Sequence, residues 1–248
     1  MKALKLISII LLLLLLNACS NSSDNKDTED TKDIPKVGSD LIIDTAGLVL
    51  YLPFSGNAED KSTTLNHTSV DGPLPTTDRT NTEDMAYEFD GDDDAIELPH
   101  HNAYNITKEI SLTAWIYPTQ IKSQTIIRKG AAVNGPTTSP YSLSLSGSGD
   151  IILSLNIDDK VTQLRKRNYD INKWSHIVGT YDGETMKLYI NGLLEESFLI
   201  TGELNTNEDA LLIGSRLKIS SSTFKGKIDD IMIYNKSLSS EYIKTLFN

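Results

Sequence analysis

Between Tyr141 and Ile157 the chain reads YSLSLSGSGDIILSLNI. Apolar and polar residues alternate with a period of two on both sides of the turn at residues 147–150, which is the period of a strand with one buried face. The segment therefore predicts a β-hairpin. One face of the hairpin carries Leu, Ile and Tyr side chains, and the serines between them face water or a ligand.

Short segments of the same kind follow one another from residue 41 to the end of the chain, separated by clusters of Gly, Asn, Asp, Pro and Ser. Further strands are predicted at residues 48–54, 86–89, 95–98, 111–117, 124–129, 174–181, 186–190, 193–198, 210–213 and 227–234. A helical pattern follows only at the end, with Ser239 as its N-cap. The sequence therefore predicts an all-β fold, an antiparallel β-sandwich with a short C-terminal helix.

Two pairs of turn residues give part of the strand order. Asp182-Gly183 and Asn191-Gly192 favour two-residue hairpin turns, because these residue types adopt positive φ readily. They predict a three-stranded meander between residues 174 and 199.

The composition restricts the class of partner. Asp and Glu outnumber Lys and Arg by 34 to 23, and the formal net charge is −11. This balance disfavours a nucleic-acid partner, because such binding depends on cationic neutralisation of phosphates. The chain has one cysteine, so an intrachain disulfide is excluded.

The N-terminus reads as an export signal. Lys2 and Lys5 precede an apolar run at residues 6–16, and Asn17-Ala18-Cys19 closes the segment. The run is about 16 Å long as a helix, roughly half of a bilayer core, which disfavours a permanent transmembrane helix. The segment LNAC resembles the bacterial lipobox, so residues 1–18 are expected to be a signal peptide and Cys19 the lipidated residue that anchors the protein to the membrane.

Residues 19–40 are expected to be a disordered acidic tether, because they contain almost no apolar side chains. Ser20 stands where an inner-membrane retention signal places Asp, and the acidic run resembles surface-export signals of lipoproteins from Bacteroidetes-type bacteria. These resemblances imply a lipid-anchored protein of the outer membrane on the cell surface of a Gram-negative bacterium. The periplasmic face of that membrane is the alternative.

Six blocks of residues 41–248 together resemble a known family. The blocks are YEFDGDDDAIEL at 87–98, SLTAWIYP at 111–118, WSHIVGTYDG at 174–183, LYING at 188–192, LIGS at 212–215 and FKGKIDDIMIY at 224–234. In this order they resemble LamG-like domains of the concanavalin A-like lectin/glucanase superfamily. The resemblance implies a jelly-roll β-sandwich, a fold that carries both binding proteins and glycosidases.

A glycosidase needs two carboxyl groups placed across the scissile bond. The glucanases of this superfamily carry them on a strand of Glu-x-Asp-x-Glu type, and no such strand is found here. Glu195 and Glu196 are adjacent, so they point to opposite faces of a strand. The module is therefore predicted to be non-catalytic, and a glycoside hydrolase with loop-borne carboxylates, such as those of residues 92–94, is the alternative.

Calcium is the cofactor that the resemblance implies. Related glucanases hold a structural calcium ion with a C-terminal-strand aspartate and a backbone carbonyl near the Phe-Asp-Gly turn, which suggests Asp229 and Gly91 as ligands. Asp229 has the strand parity of Ile231 and Ile233 and is expected to point to their buried side. The alternative is that its carboxylate accepts hydrogen bonds. No organic cofactor is expected, and the histidines lack the spacing of a zinc site.

Several side chains are candidates for ligand contact. Trp115 and Trp174 are either packing residues or stacking platforms for sugars, and Tyr104, Tyr141 and Tyr169 are further aromatic candidates near turns. The basic segment 160–167 either meets an acidic glycan or protects a hairpin edge from aggregation.

Together these features predict a membrane-anchored, surface-exposed lipoprotein with a non-catalytic binding or adhesion module. Its expected partner is a glycan or an extracellular or envelope protein. A structural or assembly protein of the envelope is a further alternative.

Overall fold

The computed structural model describes residues 36–37, 41–130, 139–215 and 222–248. Cys19, the predicted leader and residues 19–35 and 38–40 of the predicted tether lie outside the described residues. Two residues of the predicted tether form strand β1 (Lys36–Val37), which pairs with β2 (Leu41–Ile42). The remaining strands form two antiparallel sheets with an apolar layer between them, so the predicted β-sandwich is confirmed.

The first sheet has seven strands. In sheet order they are β12 (Lys160–Arg167), β11 (Asp150–Ile157), β10 (Tyr141–Leu145), β9 (Gln124–Lys129), β16 (Leu211–Ile213), β7 (Ala95–Leu98) and β4 (Ser69–Asp71). The predicted hairpin is β10 and β11, in which Leu143 lies opposite Leu153.

The second sheet has eight strands, seven of them along its main path. In sheet order they are β15 (Leu193–Leu199), β14 (Thr185–Ile190), β13 (Ser175–Tyr181), β8 (Ile110–Pro118), β17 (Lys225–Tyr234), β6 (Ala86–Asp90) and β5 (Leu74–Thr76), and β3 (Leu48–Leu52) pairs with the second half of β17. The predicted meander is β13, β14 and β15.

All the strands predicted from the alternation are present, with ends that differ by a residue or two. The prediction lacked five strands: the short pair β1 and β2, and β4, β5 and β12, which lie at edges of the two main sheets. Edge strands are half exposed, so little apolar alternation marks them. In β12 only Leu164 is buried.

The core lies between the sheets and is built from alternate residues of the strands. Leu143 and Leu153 of the first sheet and Ile177 and Ile231 of the second are fully buried in it. At Gly179 the two sheets are in close contact, since an added Cβ would lie 2.6 Å from a methyl carbon of Leu153. The alternate residues that do not enter this core point outward.

A β-bulge interrupts strand β17. Ile228 and Ile231 are three residues apart, yet both are buried in the core, and the pairing with β8 shifts between Asp229 and Met232. Asp230 has a φ of 44° at this point. The bulge turns the carboxylates of Asp229 and Asp230 to the outer face of the eight-stranded sheet. The predicted parity of Asp229 with Ile231 is therefore wrong, because the strand is not regular between these residues.

The outer face of the eight-stranded sheet is covered by helix α1 (Ser240–Phe247). The hydroxyl of Ser239 accepts a hydrogen bond from the Tyr242 amide at 3.2 Å, which confirms the predicted N-cap. Ile243 and Leu246 are buried against the sheet. Among the described residues, no helix covers the part of the first sheet's outer face formed by β9 to β12, and an open cavity lies there.

Candidate functional site

Two rows of outward-facing residues cross four strands of the seven-stranded sheet. The first row is Arg128, Ser142, Ser154 and Gln163, and the second is Thr125, Ser144, Ile152 and Arg165. Each row takes one residue from each of β9, β10, β11 and β12. Residues in register on neighbouring strands are about 5 Å apart, so each row is about 14 Å long.

These rows form the floor of an open cavity of about 330 Å³, which we call the serine groove. It is lined by Ser123, Gln124, Thr125, Arg128, Ser139, Ser142, Ser144, Leu145, Ser146, Ile152, Ser154, Val161, Gln163, Arg165 and Ser222. The groove exists because serines take the outward positions of β10 while leucines and a tyrosine take the inward ones. Short side chains leave the backbone face open, and the volume lies within the range of small-ligand sites.

Basic side chains stand at both ends of the rows. The Nε atom of Arg128 donates to the carbonyl of Gly130 at 2.9 Å, and Nη2 of Arg165 donates to Oε1 of Gln163 at 2.6 Å. A carboxylate oxygen of Asp150 lies 3.4 Å from Nη1 of Arg165, and its other oxygen lies 3.9 Å from Nε of Arg167. A hydrogen bond from Ser148 and the charge of Arg165 hold the pKa of the Asp150 carboxyl below its ordinary value, so this group is charged at neutral pH.

The basic segment of the sequence is divided between two faces. Along β12, Arg165 and Arg167 alternate onto the groove face, whereas Lys166 lies on the other side and contacts Glu195 of β15 at 2.8 Å. The sequence analysis left two roles open for this segment, contact with an acidic glycan and protection of a hairpin edge from aggregation. The position of β12 as the edge strand of its sheet fits both roles.

A second polar cluster lies on the outer face of the eight-stranded sheet, and we call it the Arg79 cluster. It consists of Arg79, Trp115, His176, Asp229 and Asp230. Nη1 of Arg79 lies 2.8 Å from an oxygen of each aspartate, and its guanidinium lies 4.5 Å from the centroid of the Trp115 ring. The His176 ring stacks on Trp115 with ring centroids 5.1 Å apart. Both carboxylates are almost fully buried, so this ion pair is a structural contact.

Burial controls the ionisation of this cluster. Loss of hydration raises the pKa of the Asp229 and Asp230 carboxyls, and the charge of Arg79 opposes that shift. Burial, together with the charge of Arg79, lowers the pKa of His176 to about 3, so this imidazole is neutral at physiological pH. One guanidinium therefore faces two carboxyls whose charged forms are disfavoured.

The structure gives each of the two predicted calcium ligands another partner. Asp229 is paired with Arg79, and the carbonyl of Gly91 accepts a hydrogen bond from Lys122 at 2.7 Å. Gly91 packs on Lys225, which lies four residues before Asp229 on the same strand, or about 13 Å along it. The carboxylate oxygens of Asp229 fit a guanidinium better than a calcium ion, because Arg79 already supplies the cation there. A calcium ion shared by Asp229 and Gly91 stays a prediction.

Carboxylates also gather at the turn around Gly91. Among the described residues, Asp90, Asp93 and Asp94 place carboxylate oxygens within 4.8 Å of one another. Asp94 is buried and accepts a hydrogen bond from the amide of Asp90 at 2.7 Å. Burial raises the pKa of Asp94, and the neighbouring acidic side chains add to that shift. The carboxylate of Asp94 thus organises this turn.

The aromatic candidates have different positions. Tyr104, Tyr141 and Tyr169 are buried, so none of them is a stacking platform. Trp115 is buried between His176 and Phe247 of α1, which confirms its packing role. Trp174 is half-buried and packs on Tyr117 with ring centroids 5.7 Å apart. This pair is the partly exposed aromatic surface that the sequence prediction could not distinguish from core.

Strand β15 presents apolar side chains to solvent. Leu193, Leu194, Phe198 and Leu199 are between 50% and 78% exposed, and β15 is the edge strand of the eight-stranded sheet. An exposed apolar edge of this kind is a surface for association with another chain. In the part of the chain that the structure describes, no helix has the length and apolar character needed to cross a membrane.

The groove arginines are the site residues that the sequence prediction did not assign to a shared surface. The outward serines of β10 follow directly from the alternation. The position of Arg128 beside Ser142 depends on strand register, and the register of β9 against β10 shifts nearby, between Leu143 and Ser144. For Arg165, the alternation of residues 160–167 was the sequence feature that indicated the face of the strand on which it lies.

The fold is shared with several toxin binding domains. The binding domain of Paraclostridial Mosquitocidal Protein 1 matches with a TM-score of 0.65 at 18% identity, over 82% of this chain and 52% of that chain. The receptor binding domain of botulinum neurotoxin D matches with a TM-score of 0.63 at 22% identity, over 82% and 52%. The ligand binding domain of botulinum neurotoxin serotype D in complex with N-acetylneuraminic acid matches with a TM-score of 0.65 at 23% identity, over 82% and 51%.

This chain therefore spans about half the length of the solved structures that it matches, and at these identities the likeness shows the fold alone. A search of curated proteins finds no matching sequence. The Laminin_G_3 family, described as the concanavalin A-like lectin/glucanases superfamily, matches residues 90–244, which is more than half of the chain. The jelly-roll topology, the family match and the ordered sequence blocks agree, and the chain belongs to the concanavalin A-like lectin/glucanases superfamily.

Proposed function

We propose that this protein is a glycan-binding module and that the serine groove is its binding surface. The observation that carries the proposal is the groove itself, an open, hydroxyl-rich cavity of about 330 Å³ across four strands of one sheet. Serine hydroxyls and the side-chain amide of Gln163 both donate and accept hydrogen bonds. Sugar hydroxyls need partners of both kinds, and a row of such groups offers them along an elongated ligand.

The family and its structural neighbours support this proposal. The superfamily contains lectins and glucanases by its description. One solved structure with the same fold is a ligand binding domain in complex with N-acetylneuraminic acid, which is a sugar. The matched toxin structures are binding or receptor binding domains. A fold that binds sugars elsewhere makes a polar groove on one of its faces a reasonable place for a glycan.

A non-catalytic role is part of the proposal. Hydrolysis of a glycosidic bond needs two carboxyl groups flanking it, about 5 to 9.5 Å apart. Among the described residues that line the serine groove there is no Asp or Glu. The carboxylate of Asp150, beside the groove, is paired with Arg165.

We further propose that Cys19 carries the lipid and tethers the module to the outer membrane, with the groove on the cell surface. The lipobox-like sequence before Cys19 supports this. Metabolic labelling with a palmitate analogue tests it: the full-length chain is expected to take up the label in its native host and to fractionate with the outer membrane. A Cys19→Ala chain that still takes up the label would contradict this assignment.

The glycan proposal is tested on a glycan array with wild-type protein and two matched variants. Ser144→Trp fills the groove from its second row, whereas Ser197→Trp places the same ring at an exposed position of β15. The wild type and Ser197→Trp are expected to bind the same glycans, and Ser144→Trp is expected to bind none of them. Equal binding by both variants would place the glycan site elsewhere, with the Trp174–Tyr117 surface as the next candidate.

A protein partner is the second candidate, and the exposed apolar side chains of β15 favour it. A partner that pairs with this edge would be released by Phe198→Lys but not by Ser144→Trp. Such a result, with no glycan bound on the array, would favour the protein-binding alternative.

A further inference from the structure

The serine groove is cationic in a strongly acidic chain. Arg128 stands at one end of the first row on β9, and Arg165 stands at the opposite end of the second row on β12. The described lining contains these two arginines and no acidic residue, although the whole chain has a formal net charge of −11. We propose that the groove binds an anionic glycan whose carboxylates pair with Arg128 and Arg165, an inference that rests on the proposed function above.

The spacing of the arginines suits an elongated ligand. The strands that carry them are three strand spacings apart, about 14 Å, and the two rows are offset by two residues, about 7 Å. The arginine Cα atoms are therefore about 16 Å apart on a diagonal of the groove. Ser142, Ser144 and Ser154 lie between them. A sugar chain along this diagonal meets a guanidinium at each end and hydroxyl groups along its length.

Contacts within the protein orient both guanidinium groups. Arg128 donates to the Gly130 carbonyl, and Arg165 donates to Gln163 and to Asp150, so these contacts hold both side chains at the groove. At the β12 side, Arg165 and Arg167 share the carboxylate of Asp150. Among the described residues named here, Arg128, Arg165 and Arg167 place three guanidinium groups against the one carboxylate of Asp150, a net charge of +2.

This charge distinguishes anionic from neutral glycans. A guanidinium binds a carboxylate through two parallel, charge-assisted hydrogen bonds, which are stronger than those it makes to a neutral hydroxyl. The chain as a whole has a formal net charge of −11 and repels an anionic ligand at long range, so the groove arginines must supply the local attraction. The groove therefore selects for glycans with uronic or sialic acid residues.

The test compares charged ligands with the neutral form of the same glycan, in two sets. Sialyllactose and sulfolactose are compared with lactose, and tetragalacturonate is compared with its carboxyl-reduced form; each is titrated calorimetrically into the wild type, Arg128→Gln and Arg165→Gln. Lys173→Gln is the control, because Lys173 forms an exposed ion pair with Asp170 away from the groove. At least one carboxylated ligand is expected to bind ten-fold or more tightly than its neutral form. Each groove variant is expected to lose about ten-fold or more of that affinity, since a charge-assisted hydrogen bond is removed. The control is expected to lose none.

The salt dependence adds an independent readout. The affinity for the carboxylated ligand is expected to fall as salt rises, and this fall is expected to be smaller in Arg128→Gln and Arg165→Gln. If the carboxylated and neutral forms bind equally well and Ser144→Trp binds neither, the inference of an anionic glycan is overturned. The proposal that the groove binds glycans would still stand. Tighter binding of sulfolactose than of both carboxylated ligands would overturn the carboxylate assignment. Absence of binding to every ligand would overturn the inference and count against the proposed function.

Discussion

Removal of the Arg79 guanidinium is expected to destabilise the fold in a pH-dependent manner. The variant Arg79→Met keeps much of the side-chain length but leaves Asp229 and Asp230, with side chains 2% and 7% exposed, without their cation. A buried carboxylate in that position either stays charged at a high cost or takes up a proton. Loss of one partner of a buried ion pair costs about 3–5 kcal/mol.

The sign of the pH dependence follows from the raised pKa of both carboxyls. Wild type and variant both lose stability as pH rises from the ordinary aspartate pKa of about 3.9 toward the folded-state pKa, because the unfolded chain releases protons that the folded chain keeps. Without Arg79 the folded-state pKa rises further, so the variant keeps its protons to a higher pH than the wild type. The free-energy deficit of Arg79→Met relative to wild type is therefore expected to be constant while both folded chains are protonated, and to grow by about 1.4 kcal/mol per pH unit for each proton that only the wild type has released.

The assay is urea unfolding of wild type and variants between pH 5 and pH 10. Lys61→Met is the control, because Lys61 and Glu59 form an exposed ion pair and little change is expected from it. The double variant Arg79→Met with Asp230→Asn is expected to recover much of the loss, since it removes one of the two buried carboxyls. A deficit below about 1 kcal/mol at pH 7, or a deficit that shrinks as pH rises toward 10, would refute the reasoning.

Further predictions concern the N-cap, a loop and calcium. Ser239→Ala is expected to lower the free energy of unfolding by about 1 kcal/mol, measured by urea unfolding, and an unchanged value would contradict the capping role. Asp60→Ala is expected to cost about 3 kcal/mol more than Asp60→Asn, because the carboxylate accepts bonds from two amides through one oxygen and from a hydroxyl and an amide through the other. If calcium binds at Asp229, CaCl2 at about 100 times its Kd stabilises the wild type by about 2.7 kcal/mol and leaves Asp229→Asn unchanged in a thermal melt. An equal calcium shift in both proteins would remove Asp229 from the ligand set.

The sequence predicts the sandwich well because the signal is local. Alternation alone places Leu143 and Leu153 in the core and Ser142 and Ser144 outside it, and these placements are confirmed. Turn residues such as Asn191-Gly192 join neighbouring strands, so the hairpin and the meander also follow from nearby residues.

The details that the sequence could not provide depend on distant pairing. The bulge at Asp230 reverses the parity on which the placement of Asp229 rested, and no local residue type marks it. The partner of Asp229 is Arg79, which is 150 residues away in sequence. The serine groove has the same origin, since Arg128 and Arg165 share a surface only through the register of four strands. Local alternation gives the side of a strand on which a residue lies, and tertiary structure decides which residues it meets there.

The central claim is that glycans bind in the serine groove, and NMR mapping of amide chemical shifts during titration with a glycan bound on the array tests it most directly. We expect the largest shifts at Ser142, Ser144, Ser154 and Gln163, on adjacent strands of one sheet face. Largest shifts around Trp174 and Tyr117, with the groove amides unchanged, would contradict the account.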